Sequence, residues 1–136
     1  MKIINSDKVP EALGPYSHAT VINGFVFTSG QIPLTLDGTI VSDDVQEQTK
    51  QVLENLTVVL KEAGSDLNSV VKATIYISDM NDFQQINQIY GNYFVEHQPA
   101  RSCVEVSRLP KDVKVEIELI GKVKAVSYTH LRAHET

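Results

Sequence analysis

The chain has one cysteine, no apolar run of membrane-spanning length and no surplus of positive charge, and each absence removes a class of protein. With Cys103 alone no intrachain disulfide can form, so the thiol is either a buried small side chain or a functional group, and a reducing compartment is expected. Met1 to Pro10 carries Lys2 but passes directly into Asn5, Ser6 and Asp7, without the apolar stretch that a secretory signal needs. No segment approaches the roughly 20 consecutive apolar residues of a membrane helix. Together these absences give the expectation of a cytoplasmic protein. The formal charge is −5, from 12 Lys and Arg against 17 Asp and Glu. Phosphate backbones and anionic lipid attract the opposite balance, so neither nucleic acid nor membrane is expected as a partner.

What is present is the mixture of an ordinary globular domain: 42% hydrophobic and 21% charged residues in 136 positions, with no repeat. A chain of this length fits one domain, which buries about 68 to 70% of the surface its unfolded form exposes. Asn23-Gly24 stands between Ser17–Ile22 and Phe25–Ser29, both rich in β-branched or aromatic residues, and predicts a hairpin. Gln31 to Asp44 contains Pro33 and Asp37-Gly38 and reads as a loop with at most a short strand. Val45, Thr49, Val52, Leu53, Leu56, Val59, Leu60 and Ala63 then recur every three or four residues, the stripe of an amphipathic helix, with Asp43 and Gln46 able to cap its start and Gly64 its end. Val71, Ala73, Ile75 and Ile77 alternate with polar residues as a strand does. A second helix has the stripe Phe83, Ile86, Ile89, Tyr90, Tyr93 and Phe94. The resulting order, β-β-α-β-α-β-β, implies an α+β layer in which two helices cover one face of a sheet of about six strands. The other face must meet water or another subunit.

The last two strands, Ser102–Arg108 and Val113–Ile120, are joined by four residues, and a simple hairpin is the direct reading. In that register Val104, Val106, Val113, Val115, Ile117 and Leu119 face the helices. Arg101, Cys103, Glu105, Ser107, Lys114, Glu116 and Glu118 share the other face, with Cys103 and Glu116 diagonal neighbours about 7 to 8 Å apart. Taken one at a time these residues are unremarkable: a solvated face with surface ion pairs, a packing cysteine, a turn tyrosine at Tyr16 after Gly14-Pro15.

Several longer segments, in order, change that reading. Gly14-Pro15-Tyr16-Ser17, Thr28-Ser29-Gly30-Gln31-Ile32-Pro33, Pro99-Ala100-Arg101-Ser102-Cys103-Val104-Glu105-Val106, Leu109-Pro110-Lys111-Asp112 and Val115-Glu116-Ile117-Glu118 resemble the signature segments of the Rid (reactive intermediate deaminase) family. The resemblance covers Met1 to Lys124. It implies a chorismate-mutase-like α+β subunit with a six-stranded mixed sheet, assembled as a homotrimer with ligand clefts between subunits. It also implies hydrolysis, without a cofactor, of the enamine and imine acids released by pyridoxal-phosphate-dependent dehydratases. These are 2-aminoacrylate with 2-iminopropanoate, and 2-iminobutanoate; the products are 2-keto acids and ammonia. Carried over position by position, Arg101 is the fork that grips the substrate carboxylate. Cys103, Tyr16, Ser29, Gly30 and Asn87 line the same cleft, and Glu116 manages the protons of the attacking water. Cys103 is placed in the wall rather than as a nucleophile, because His18 and His97 form no recognisable cysteine–histidine constellation with it. The link from His97 to Pro99 is Gln98 alone, shorter than in closely similar bacterial members, a departure that bears on the rim of the cleft.

Two other readings compete: a keto-acid-binding regulatory trimer without turnover, and a ribonuclease or translation inhibitor, which the acidic balance disfavours. Residues 125–136 show neither period nor partner and are expected to be a disordered or non-native tail. His130 and His134 stand four apart there, but with no third ligand nearby no metal is expected.

Overall fold

In the computed structural model, which describes residues 1–124, Asn23 and Gly24 take φ values of 52° and 81°. Two successive positive φ angles are what a two-residue turn needs to match the twist of its flanking strands. The turn joins β2 (Ala19–Ile22) to β3 (Phe25–Thr28), and β1 (Lys2–Ile4), unforeseen in the sequence, pairs with β2 at the sheet edge. The remaining elements are α1 (Val45–Glu62), β4 (Val70–Ile77), α2 (Phe83–Tyr93), β5 (Ala100–Glu105) and β6 (Val115–Lys122). The expected tail and its histidine pair lie outside the described residues.

The apolar stripe places α1. Val45, Thr49, Val52, Leu53, Leu56, Val59 and Leu60 are all buried, against a sheet face built from Val26, Ala73, Ile75, Ile77, Val115, Ile117 and Leu119. Its cap is one residue later than expected: the Asp44 side chain, not that of Asp43, accepts the Glu47 N–H. Gly64, at φ 82°, ends the helix as expected. Two buried polar residues of α1 were not anticipated. Gln48 donates to the Ser42 carbonyl and accepts the Lys114 N–H, while Asn55 donates to the Leu34 carbonyl, so the helix pins the loop before it and the entry to β6. In β4, a bulge between Val70 and Lys72 turns Val71 outward and buries Val70 instead.

The sheet order is β1-β2-β3-β6-β4-β5, with β4 and β5 parallel and every other pair antiparallel. The expected hairpin between the last two strands does not form. β5 pairs with β4 at the far edge of the sheet, and β6 inserts between β3 and β4. The physical reason is the helix between β4 and β5: a strand–helix–strand unit returns its second strand parallel to the first, leaving the other edge of β4 free for β6. The link between β5 and β6 can pass β4 because it has a small core of its own, Leu109 and Val113 against Ile32 and Leu34.

This pairing reverses the parity of β5. Arg101 is opposite Ala73 and Cys103 opposite Ile75, so both lie on the helix side of the sheet, with Glu105 beside Ile77. Val104 is opposite Tyr76, whose other neighbour is Glu116, on the open face, where Phe25 and Phe27 are also exposed. Glu116 and Glu118 stay on the open face, as expected. Cys103 and Glu116 are therefore not diagonal neighbours: β4 lies between their strands, and they point to opposite sides.

Candidate active site

Seven residues were expected to share one cleft, and the fold divides them into two groups. The first lies between the β5 edge and α2. Phe83, Asn87 and Tyr90 recur at four and three residues and so stand on one face of α2. Arg101 lies across that face. Its Nη1 donates to Asn87 Oδ1 at 2.7 Å, and its guanidinium carbon sits 4.8 Å from the Tyr90 ring centroid and 5.6 Å from that of Phe83. Two rings and an amide thus fix the plane of the fork while leaving further N–H groups for an anion. Burial pushes the Tyr90 phenol above its usual value, opposed by the Arg101 charge, and the Tyr90 hydroxyl is buried with no hydrogen-bond partner among the described residues. Cys103, half-buried beside Arg101, is likewise pushed up by burial despite that positive charge. A thiol held protonated is a poor nucleophile and an adequate wall.

The second group lies on the open face around Glu116. Three residues of the chain, 28 to 30, stand against two of β6 between the Phe27–Ile120 and Gln31–Ile117 pairs, a bulge that carries Ser29 and Gly30 alongside Glu116. The glycine is required by space: a Cβ on Gly30 would lie 2.0 Å from Glu116 Oε2. Ser29 is held by its N–H to the His18 carbonyl and its hydroxyl to the Ser17 carbonyl, and the Tyr16 hydroxyl accepts the Leu13 N–H. Tyr16, Ser29, Gly30 and Glu116 line a cleft of about 300 Å³, joined by Leu13, Ile32 and Pro110. Burial, and secondly the Glu118 charge, raise the Glu116 carboxyl above the ordinary glutamate value. A carboxylate moved toward neutrality is suited to taking and returning a proton.

The structure therefore brings together Arg101, Asn87 and Cys103, and separately Tyr16, Ser29, Gly30 and Glu116. It does not bring the two sets to one point within a subunit. Phe83 and Tyr90 were seen in the sequence only as part of an apolar stripe; their spacing from Asn87 was the available signal for a second role. Leu13, Ile32 and Pro110 were missed, although Ile32 and Pro110 fall inside two of the motif segments. A separate depression of about 870 Å³, lined by Asn5, Asp7, Glu11, His18 and Glu62 among others, holds none of the expected residues. Among the described residues no group of three His, Cys, Asp or Glu could hold a metal ion, and no helix is long and apolar enough to cross a membrane.

Comparison with known proteins places these observations. The model of a family described as Endoribonuclease L-PSP matches residues 6–123. A RutC family protein of Pyrococcus abyssi is 51% identical over 121 residues, covering 88% of this chain and 95% of its own. A Salmonella typhimurium protein named 2-iminobutanoate/2-iminopropanoate deaminase is 45% identical over 123 residues, covering 88% and 96%. The crystal structure of Escherichia coli TdcF with bound serine superposes with a TM-score of 0.86 at 44% identity, covering 91% of this chain and all of that one. A Yersinia pestis protein whose structure is described as belonging to the conserved Rid protein family superposes at 0.87 with 47% identity, covering 90% and 98%. The motifs, the two-helix, six-stranded architecture and these matches agree, and the chain belongs to the Rid family, the group whose model carries the name Endoribonuclease L-PSP.

Proposed function

We propose that the chain is an enamine and imine deaminase whose clefts form between subunits of a homotrimer, each joining the Arg101 group of one subunit to the Glu116 group of the next. The observation that carries this reading is the division of the site. In a 2-imino acid the carboxylate is bonded to the carbon that water attacks, so the group that grips one and the group that activates the other must converge on adjacent atoms. Arg101 and Glu116 point to opposite sides of their own sheet, and only a second copy can bring them together. The open face supports such a contact, since Phe25, Phe27 and Val104 are exposed on it.

In this cleft Arg101, held flat by Tyr90, Phe83 and Asn87, takes the carboxylate through paired N–H donors. Glu116 accepts a proton from water as its oxygen bonds to the imine carbon. Glu116 returns that proton to the nitrogen to give a neutral amino alcohol. This collapses as Glu116 takes the hydroxyl proton, the carbonyl forms and the carbon–nitrogen bond breaks; the proton passes to the departing nitrogen, and 2-keto acid and ammonia leave. One water is consumed for each imine. For 2-iminopropanoate and 2-iminobutanoate the apolar walls of Leu13, Ile32 and Pro110 suit a methyl or ethyl side chain. The similarity to a protein named for those two substrates supports the same choice.

The ribonuclease reading has the family's description on its side, but Glu116 and Glu118 stand where a phosphate chain would have to approach. A binding protein without turnover has no use for a second negative charge beside a bound carboxylate. The test is to add the protein to a threonine dehydratase reaction and follow keto acid release where spontaneous hydrolysis is slow. Faster release is expected; keto acid binding without acceleration would favour the regulatory reading.

A further inference from the structure

His18 is only 4% exposed and takes no part in the chemistry above, yet every polar atom it has is in use. The Ser6 N–H donates to Nδ1 at 3.1 Å, so Nδ1 carries no proton, and Nε2 therefore donates to the Pro10 carbonyl at 2.9 Å. Only the neutral Nε2–H tautomer satisfies both. The His18 N–H donates to Asn5 Oδ1 at 3.2 Å, and its carbonyl accepts the Ser29 N–H at 2.9 Å. One residue thus ties the Asn5–Pro10 segment to the strand entering β2 and to Ser29 in the cleft. The same segment runs on through Leu13 and Tyr16, which line that cleft, and a cavity of about 20 Å³ borders Pro10, Tyr16, His18 and Gly30.

We propose that His18 is a positioning residue for the Glu116 half of the site, which holds the Leu13–Tyr16 wall and Ser29 in place through a single ring tautomer. The proposal rests on the deaminase reading for its kinetic consequence but not for its geometry. Leucine at position 18 leaves the Ser6 N–H and the Pro10 carbonyl without partners, whereas glutamine supplies one acceptor and one donor on a flexible stem.

The experiment uses the full chain with His18→Leu and His18→Gln. Long-range nitrogen–proton spectra of the parent should show one protonated and one bare ring nitrogen, with Nε2 protonated. In His18→Leu, amide exchange at Tyr16 and Ser29 should accelerate while β4 and β6 keep their protection. KM for the imine should rise about tenfold, the equivalent of roughly 1.4 kcal/mol, with kcat much less affected. His18→Gln should recover most of the KM. A purely structural histidine would lower the melting temperature and leave KM alone, and that result overturns the proposal. So does protected Ser29 exchange in His18→Leu, or a parent ring protonated at Nδ1. If the leucine variant does not fold, His18→Asn, whose shorter stem cannot reach both the Ser6 N–H and the Pro10 carbonyl, replaces it with the same exchange and KM readouts. If the parent has no deaminase activity, the deaminase reading fails while exchange and tautomer judge the positioning.

Discussion

The anchor role proposed for Arg101 depends on how well its surroundings hold it, which makes the residues beneath it as informative as the arginine. Arg101→Ala should abolish turnover with the melting temperature little changed, because loss of one partner of a desolvated charge pair costs about 2 to 5 kcal/mol. Activity within a few-fold of the parent would remove the anchor role. Tyr90 separates packing from polarity. Tyr90→Phe keeps a ring under the guanidinium and removes a buried hydroxyl that has no partner, so stability should rise by about 1 kcal/mol in chemical denaturation, with activity retained. Tyr90→Leu removes the ring face and should raise KM.

Glu116 makes a prediction of opposite signs for stability and rate. Its folded-state carboxyl is raised by burial and by Glu118, so the folded protein holds that proton to higher pH than the unfolded chain does. The parent is therefore stabilised below the unfolded value and loses that contribution as pH rises through the raised folded value. Glu116→Gln should melt higher than the parent at neutral pH, with the difference shrinking on acidification, while turnover falls about 10² to 10⁴ fold. The acid limb of the parental rate profile should sit above the ordinary glutamate range and move down in Glu118→Gln. A limb that stays put would mean another group handles the proton.

At the scale of elements, legibility followed how local each signal is. The stripe of α1, the Asn23-Gly24 turn and the alternation in β6 depend on neighbours within a few residues, and all three hold. The cap of α1 was misplaced by one residue because Asp43 and Asp44 are equally good acceptors and only the path of the preceding loop chooses between them. Asp44→Ala should cost about 1 kcal/mol of stability and Asp43→Ala almost none. The parity of β5 is a different failure. Arg101 to Val106 alternates cleanly in either register, so its facing depends on the partner strand, and sequence adjacency pointed to β6 where the intervening helix dictates β4. That one pairing moved Arg101 and Cys103 to the helix side. The motif segments are indifferent to that correction, because they mark positions along the chain and not which face those positions occupy.

At the scale of the whole molecule, the same correction supplies the argument for assembly. Had Arg101 and Glu116 shared a face, a monomer would have sufficed for the proposed reaction; on opposite faces, that reaction needs two chains. A charge at Val104 or Phe27 on the open face should give folded monomers without turnover, since an unpaired charge buried at a contact is strongly unfavourable, and light scattering beside the coupled assay reports both. The most direct test mixes two inactive variants. Arg101→Ala and Glu116→Gln, unfolded together and reassembled, should regain activity, because some clefts then receive Arg101 from one chain and Glu116 from the other. Each variant reassembled alone should remain inactive. Mixed oligomers with no recovered turnover would contradict a cleft shared between subunits.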